Sequence, residues 1–335
     1  METCKLPVQS SEHLFRLIRD LFSVYRCNSV AMELRERKPP TLKEKFSDHY
    51  KNRDFTVKKT QINTIGVAFF WGMWISIFIE GHILTFQLYG DNWIKTGVIF
   101  VLIWFSAWQS FINWFGTYLV DVSKVDAAVK EKHHPGILET PAGWYNCPNC
   151  QVDVPPRSFH CKYCNKCVLK RDHHCFFTNS CIGFYNERFF IIMCISLIWC
   201  NAFASFLQVT YLNQTIPLSL FGILNYFAPV AFFQMLFGNM TFFQFFLTLH
   251  LFFTVGCFFS AIFFTYYHLF LICYGMTSFE STKKMNIYSH DTVLDNLRSV
   301  FGALRWIPLQ FIFPFRVDQI DDGVNWNIRK RVKGN

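Results

Sequence analysis

The stretch Cys161–Cys175, CKYCNKCVLKRDHHC, decides how this chain is read. Widening the window gives C147-x2-C150, nine residues, H160-C161-x2-C164-x2-C167, four residues, D172-H173-H174-C175, five residues, and C181. Seven cysteines and three histidines make ten potential ligands. Repeated C-x-x-C pairs in a short segment point to metal-bound thiolates in a reducing compartment rather than to disulfides. Two tetrahedral zinc ions take eight ligands, so one His and one Cys are left over. Cys175 follows an Asp and two His. These are the parts of a relay in which a carboxylate fixes an imidazole and the imidazole activates a thiol. On the residues alone, Cys175 stays open between nucleophile, ligand and structural thiol.

Around this segment the chain changes character. Of 335 residues, 52% are hydrophobic, 19% are aromatic (41 of them Phe) and only 16% are charged. Soluble domains carry about a quarter charged residues, so this composition predicts a polytopic membrane protein. The net charge of +9 then belongs to loops on the cytosolic side, where Lys and Arg set topology. It is not a nucleic-acid footprint: no basic helix accompanies the cysteines. METCKLPVQSSEHLF has no basic n-region followed by an apolar h-region, so the first span is expected to act as an internal anchor.

Four spans are expected, at Ile62–Ile79, Trp93–Val120, Phe189–Leu212 and within 242–274, each near the roughly 20 residues a bilayer requires. Glu80 and His82 are read as the far end of the first span, with a charge-poor lumenal loop over 81–92. The apolar run 216–238 is expected to lie at the lumenal interface or re-enter, because three helices in 216–274 would leave no room for turns. The expected division is a cytosolic N-terminal region 1–60, a first transmembrane hairpin 61–120, a cytosolic cysteine-rich region 121–188, the last two spans with their apolar lumenal segment over 189–275, and a cytosolic C-terminal region 276–335. Leu14–Tyr25 is a candidate amphipathic helix, and Cys4 and Cys27 are candidate lipidation sites. The remaining cysteines, Cys194, Cys200, Cys257 and Cys273, read as small apolar residues.

Taken together, these residues resemble the DHHC family of membrane protein S-acyltransferases, the palmitoyltransferases. The likeness continues upstream through Pro156, Arg157 and His160, and downstream through Cys181, Gly183, Asn186 and Phe190. It is tight over 133–190 and loose over 60–305. The resemblance implies an all-α polytopic membrane protein, a four-helix transmembrane bundle with a cytosolic two-zinc cysteine-rich domain between the second and third spans. It implies one structural zinc on Cys147, Cys150, His160 and Cys167, and another on Cys161, Cys164, His174 and Cys181. It further implies Cys175 as the nucleophile, His173 as base and Asp172 as its orienting partner. The implied donor is a long-chain acyl-coenzyme A. The acceptors are cysteines near the membrane on cytosolic or membrane-associated proteins; lipids are the other partners, with no nucleic acid. Thr277-Ser278-Phe279-Glu280 resembles the family's threonine–threonine–x–glutamate motif, which braces the catalytic loop, and Asn296–Gly302 resembles its C-terminal element.

Three departures stand out. His134 replaces the acid of the usual Asp-Pro-Gly, and Phe176 and Phe177 replace the usual Pro-Trp after the nucleophile. They raise an alternative, a catalytically weak relative that recruits partners through its zinc module. A transport protein would show paired charges within its spans, and the sequence is read as holding almost none. Lys166, Lys170, Arg171 and Arg188 are candidates to meet coenzyme A phosphates or lipid headgroups. The ending Arg331–Asn335 resembles a dibasic retrieval signal and suggests the endoplasmic reticulum or Golgi.

Overall fold

The computed structural model describes residues 42–120, 125–216, 222–284, 286–313, 315 and 317–326, with side chains from position 61 onward. Leu14–Tyr25, Cys4, Cys27 and the tail at 331–335 lie outside the described residues. The chain divides into units 1–56 and 57–335, and the membrane-length helices and the cysteine-rich region all belong to the second.

Four helices among the described residues are long and apolar enough to cross a membrane. The first span, Gln61–Tyr89, is the membrane-length part of helix α1 (Leu42–Tyr89); the second is α2 (Trp93–Leu119). A short helix α3 (Ala127–His133) leads into three two-stranded hairpins: β1 (Tyr145–Cys147) with β2 (Val152–Val154), β3 (Phe159–Cys161) with β4 (Lys166–Val168), and β5 (His173–Cys175) with β6 (Ser180–Ile182). Next come α4 (Glu187–Thr215), a short 3-10 turn and α5 (Ala228–Leu236), and α6 (Phe242–Cys273). Short helices α7 (Ser278–Thr282), α8 (Val293–Phe301) and α9 (Ile307–Ile312) close the chain. The four spans and the cysteine-rich region between the second and third follow the expected architecture. The β-hairpins inside that region are an addition that an all-α description leaves out.

α4 is the middle of the bundle: half of its most apolar window is buried, and it packs on both α2 and α6. Glu187 and Arg188 begin this helix, yet both are buried. Lys170 Nζ reaches Glu187 Oε2 at 2.9 Å, and Arg188 donates to the Phe315 carbonyl at 2.5 Å while lying over the Phe189 ring. A buried charge needs such partners. These two cations are therefore engaged inside the fold rather than displayed for phosphates, which corrects the sequence reading of Lys170 and Arg188. At nine residues, α5 is far too short to span a bilayer.

The first span corrects a second expectation. It does not end at Ile79, and residues 81–89 are helix rather than loop; the turn to α2 is only Gly90–Asn92. The helix carries Glu80 through because that carboxylate is not exposed. Glu80 Oε2 contacts His250 Nδ1 on α6, and Gln208 Nε2 on α4 donates to Glu80 Oε1 at 3.1 Å. Ser76 Oγ lies 2.9 Å from His250 Nε2. A polar knot thus joins three spans where the sequence reading placed a span edge. Bonding of this kind is what a polar group needs where water is absent. The paired Glu80 and His250 also remove the sequence argument against transport, which rested on spans almost free of paired charge.

Candidate active site and metal centres

The cysteine-rich region is one small unit used three times. Cys147, Cys161 and Cys175 follow one another at intervals of 14 residues. Each is the last residue of its strand and pairs with the residue five positions on: Cys147 with Val152, Cys161 with Lys166, Cys175 with Ser180. Each hairpin tip holds a residue with positive φ at the same offset: Gln151 (55°), Asn165 (52°) and Asn179 (48°). Asn tolerates this left-handed conformation better than most residues. In the first two hairpins the tip closes with the same bond, Gln151 N–H to Cys147 O and Asn165 N–H to Cys161 O, both 2.7 Å.

The repeat builds two groups that could hold a metal ion. Cys147 and Cys150 of the first hairpin meet His160 and Cys167 of the second; Cys161 and Cys164 of the second meet His174 and Cys181 of the third. Within each group the ligand atoms lie within 4.8 Å of one another. Direct cross-strand pairing, His160 with Cys167 and His174 with Cys181, sets two ligands side by side in each group. Zinc–sulfur bonds of about 2.3 Å arranged tetrahedrally require sulfurs roughly 3.8 Å apart. Cys167 and Cys150 sulfurs are 3.7 Å apart, and Cys164 and Cys181 sulfurs 3.5 Å. His160 Nδ1 is 3.3 Å from the Cys150 sulfur. His174 Nδ1 lies 3.3, 3.7 and 3.8 Å from the sulfurs of Cys164, Cys181 and Cys161. Both groups are compatible with tetrahedral zinc.

The third hairpin departs from this plan. Its second cysteine position is Thr178, and no fourth unit follows to complete a ligand set. Cys175 therefore falls outside both four-residue groups. It sits in an apolar cluster with Phe70, Trp114 and Phe190. Burial raises its thiol pKa, but hydrogen bonding and charge from His173, with hydrogen bonds from Thr178, bring it below the ordinary thiol value. His173 Nδ1 and Asp172 Oδ2 are 2.7 Å apart. Burial disfavours the imidazolium, yet the hydrogen bonds with Asp172 and Cys175 push its pKa up to about 9.

Asp172 is held from several sides. Ser278 donates its backbone N–H to Asp172 Oδ1 at 2.5 Å and its hydroxyl to Asp172 Oδ2 at 2.9 Å. His268 on α6, buried, brings Nδ1 to 3.5 Å from the same Oδ2 and sets its ring, tilted by 37°, 5.1 Å from that of His173. Burial raises the carboxyl pKa, but His173, His268 and the Ser278 amide together hold it well below the usual range. Ser278 is the residue that departs from the second threonine of the motif, and its hydroxyl makes the contact. Thr277 and Glu280 form a capping box on α7, and Glu280 also takes two bonds from Arg157. Asn296 donates to Cys273 O and accepts from His290 N–H, each at 2.9 Å.

Several of these contacts escape sequence reading. His268 and His250 are ionisable residues inside apolar spans, a costly placement that itself signals a bonded partner. The 14-residue period is a signal in plain view. The unusual Phe176-Phe177 pair has its own seats: Trp114 Nε1 donates to Phe177 O at 3.0 Å, and Phe176 O faces Gly66 of α1. His134 stacks edge-on against Trp144.

Sequence comparison with curated proteins gives no match. A family model described as DHHC palmitoyltransferase matches residues 142–285, which take in the three hairpins, α4, α6 and α7. Residues 142–285 match the DHHC palmitoyltransferase family, and the four membrane-length helices with cysteine–histidine groups between the second and third agree with that match.

Proposed function

We propose that this chain transfers a long-chain acyl group from acyl-coenzyme A to protein cysteines through a thioester on Cys175. The observation that carries the reading is the order Asp172, His173, Cys175, with the thiol left out of both ligand groups. His173 Nδ1 is committed to Asp172, so Nε2 is its proton carrier. The thiol proton passes to Nε2 and the Cys175 sulfur attacks the thioester carbonyl. The bond to coenzyme A breaks, and coenzyme A leaves as a thiol with the imidazolium proton. In the second half an acceptor cysteine gives its proton to His173, attacks the Cys175 thioester and takes the acyl chain. One thioester replaces another, so the step calls for activation and positioning rather than an energy source.

Two zinc ions, on Cys147, Cys150, His160 and Cys167 and on Cys161, Cys164, His174 and Cys181, give the hairpins their rigidity. Membrane placement follows from the substrate. Each methylene kept from water is worth about 0.8 kcal/mol, and Phe70, Trp114 and Phe190 around Cys175 give the chain an apolar surrounding. The acceptors are cysteines close to the bilayer on membrane-associated proteins. Basic flanking segments argue for cytosolic termini, and endoplasmic reticulum or Golgi membranes are the favoured location.

The test is a two-stage labelling. Purified protein is given an alkyne-tagged palmitoyl-coenzyme A and then a cysteine-containing lipopeptide. A hydroxylamine-sensitive label should form and then move to the peptide. A zinc-loaded, folded protein that takes no label would support the recruiting alternative instead.

A further inference from the structure

His174 has two ring nitrogens, and only one faces the sulfurs. Nδ1 points into the second metal group, at 3.3 to 3.8 Å from its three thiols. Nε2 therefore carries the hydrogen, and it lies 3.1 Å from Oδ1 of Asn63. Asn63 is 111 residues away in sequence, on the first membrane span, and only 7% exposed. The ring is clamped between Tyr163, stacked at 4.9 Å, and Phe176, edge-on at 5.2 Å. One turn further along the same helix, a Cβ on Gly66 would meet the Phe176 carbonyl at 2.6 Å. Asn63 and Gly66, three residues apart, share one helix face. That face meets the strand His173-His174-Cys175 and the turn that follows it.

We infer that Asn63 is a positioning residue: its carboxamide orients His174 as a ligand of the second zinc and thereby seats the nucleophile's strand on the first membrane helix. The inference rests on the two-zinc reading of the proposed function. A carbonyl or carboxylate behind a ligand histidine fixes its tautomer and makes it a better donor, and losing such a partner typically costs 10- to 100-fold in metal affinity. Gly66 complements it sterically, because only a residue without a side chain lets α1 approach the backbone beyond Cys175.

Zinc release to a chromogenic chelator, with total zinc per chain, tests this on detergent-purified full-length protein. Wild type should hold two zinc ions per chain. In N63A one of them should leave on the order of 10- to 100-fold faster while the other keeps its wild-type rate. N63D, which restores an acceptor oxygen, should release both at or below the wild-type rate and should recover acylation of Cys175 relative to N63A. Unchanged release in N63A, or N63D behaving like N63A, would overturn the role of Asn63. Fewer than two zinc ions in wild type would overturn the zinc reading itself, and the inference with it.

Discussion

Arg157 and Glu280, 123 residues apart, form a two-pronged ion pair: Nε to Oε1 at 2.7 Å and Nη2 to Oε2 at 2.8 Å, with both side chains almost wholly buried. Arg157 also donates to Gly275 O at 2.9 Å and lies 4.4 Å from the Trp326 ring. The pair ties the cysteine-rich region to the segment that carries Ser278. Removing one partner strands the other as a buried charge, at a cost of about 3–5 kcal/mol. Glu280→Ala should therefore lower the thermal midpoint sharply. Arg157→Lys keeps the charge but not the fork and should fall between wild type and Glu280→Ala. Equal midpoints for all three proteins would contradict this.

Ser278 presents two donors to Asp172, one from its backbone and one from its side chain. Ser278→Ala removes only the hydroxyl. Loss of a hydrogen bond to a charged group costs about 1.5–3 kcal/mol, which as an effect on the barrier is roughly 10- to 100-fold in the rate of Cys175 acylation. Ser278→Thr restores the hydroxyl and should return most of the rate. Single-turnover kinetics with acyl-coenzyme A separates this from weaker substrate binding.

The Cys175 thiol is held below the ordinary thiol range and its partner His173 at about 9. Raising pH deprotonates the thiol first, so a thiolate–imidazolium pair exists between the two values. It is lost when pH falls through the thiol value or rises through about 9. Alkylation of Cys175 by iodoacetamide should thus set in at lower pH than that of an unperturbed thiol. Asp172→Asn and Thr178→Val should both move the onset to higher pH, the first by weakening the imidazolium and the second by removing the hydroxyl beside the sulfur. A wild-type profile matching a free cysteine peptide would refute the assignment.

Glu80, Gln208 and His250 make the polar knot that joins α1, α4 and α6. Glu80→Leu leaves buried donors unpaired, at about 1–3 kcal/mol. The double variant Glu80→Leu with His250→Leu removes both sides and should recover part of that loss. A double-mutant cycle on thermal unfolding in detergent reads the coupling. Additive losses would mean that the two residues do not act as a pair.

Residue patterns carry much of this molecule and miss the rest for definable reasons. Trp93–Leu119 and Phe242–Cys273 match the expected spans because their apolar runs are long and carry no acidic residue. The first span runs to Tyr89 rather than Ile79 because Glu80 is hydrogen-bonded by side chains 128 and 170 residues away, and no local pattern reports that. Lys170 and Arg188 look like surface charge in a loop-rich region, but Glu187 and the Phe315 carbonyl draw them inside. The eight cysteines and histidines fall into two groups of four, each with its ligand atoms within 4.8 Å of one another. The 14-residue period, with Thr178 where a third C-x-x-C would close, is legible in the sequence and explains why one thiol stays outside both groups. His268 and Asn63 become visible only once the spans are packed against the hairpins.

The central claim is that Cys175 alone carries the acyl chain. Peptide mapping by tandem mass spectrometry after a single turnover with palmitoyl-coenzyme A tests it most directly. One hydroxylamine-labile acyl group is predicted on Cys175, absent from Cys175→Ser. An acyl group on Cys194 or on any of the eight cysteines and histidines of the metal groups, or undiminished labelling of Cys175→Ser, would contradict it.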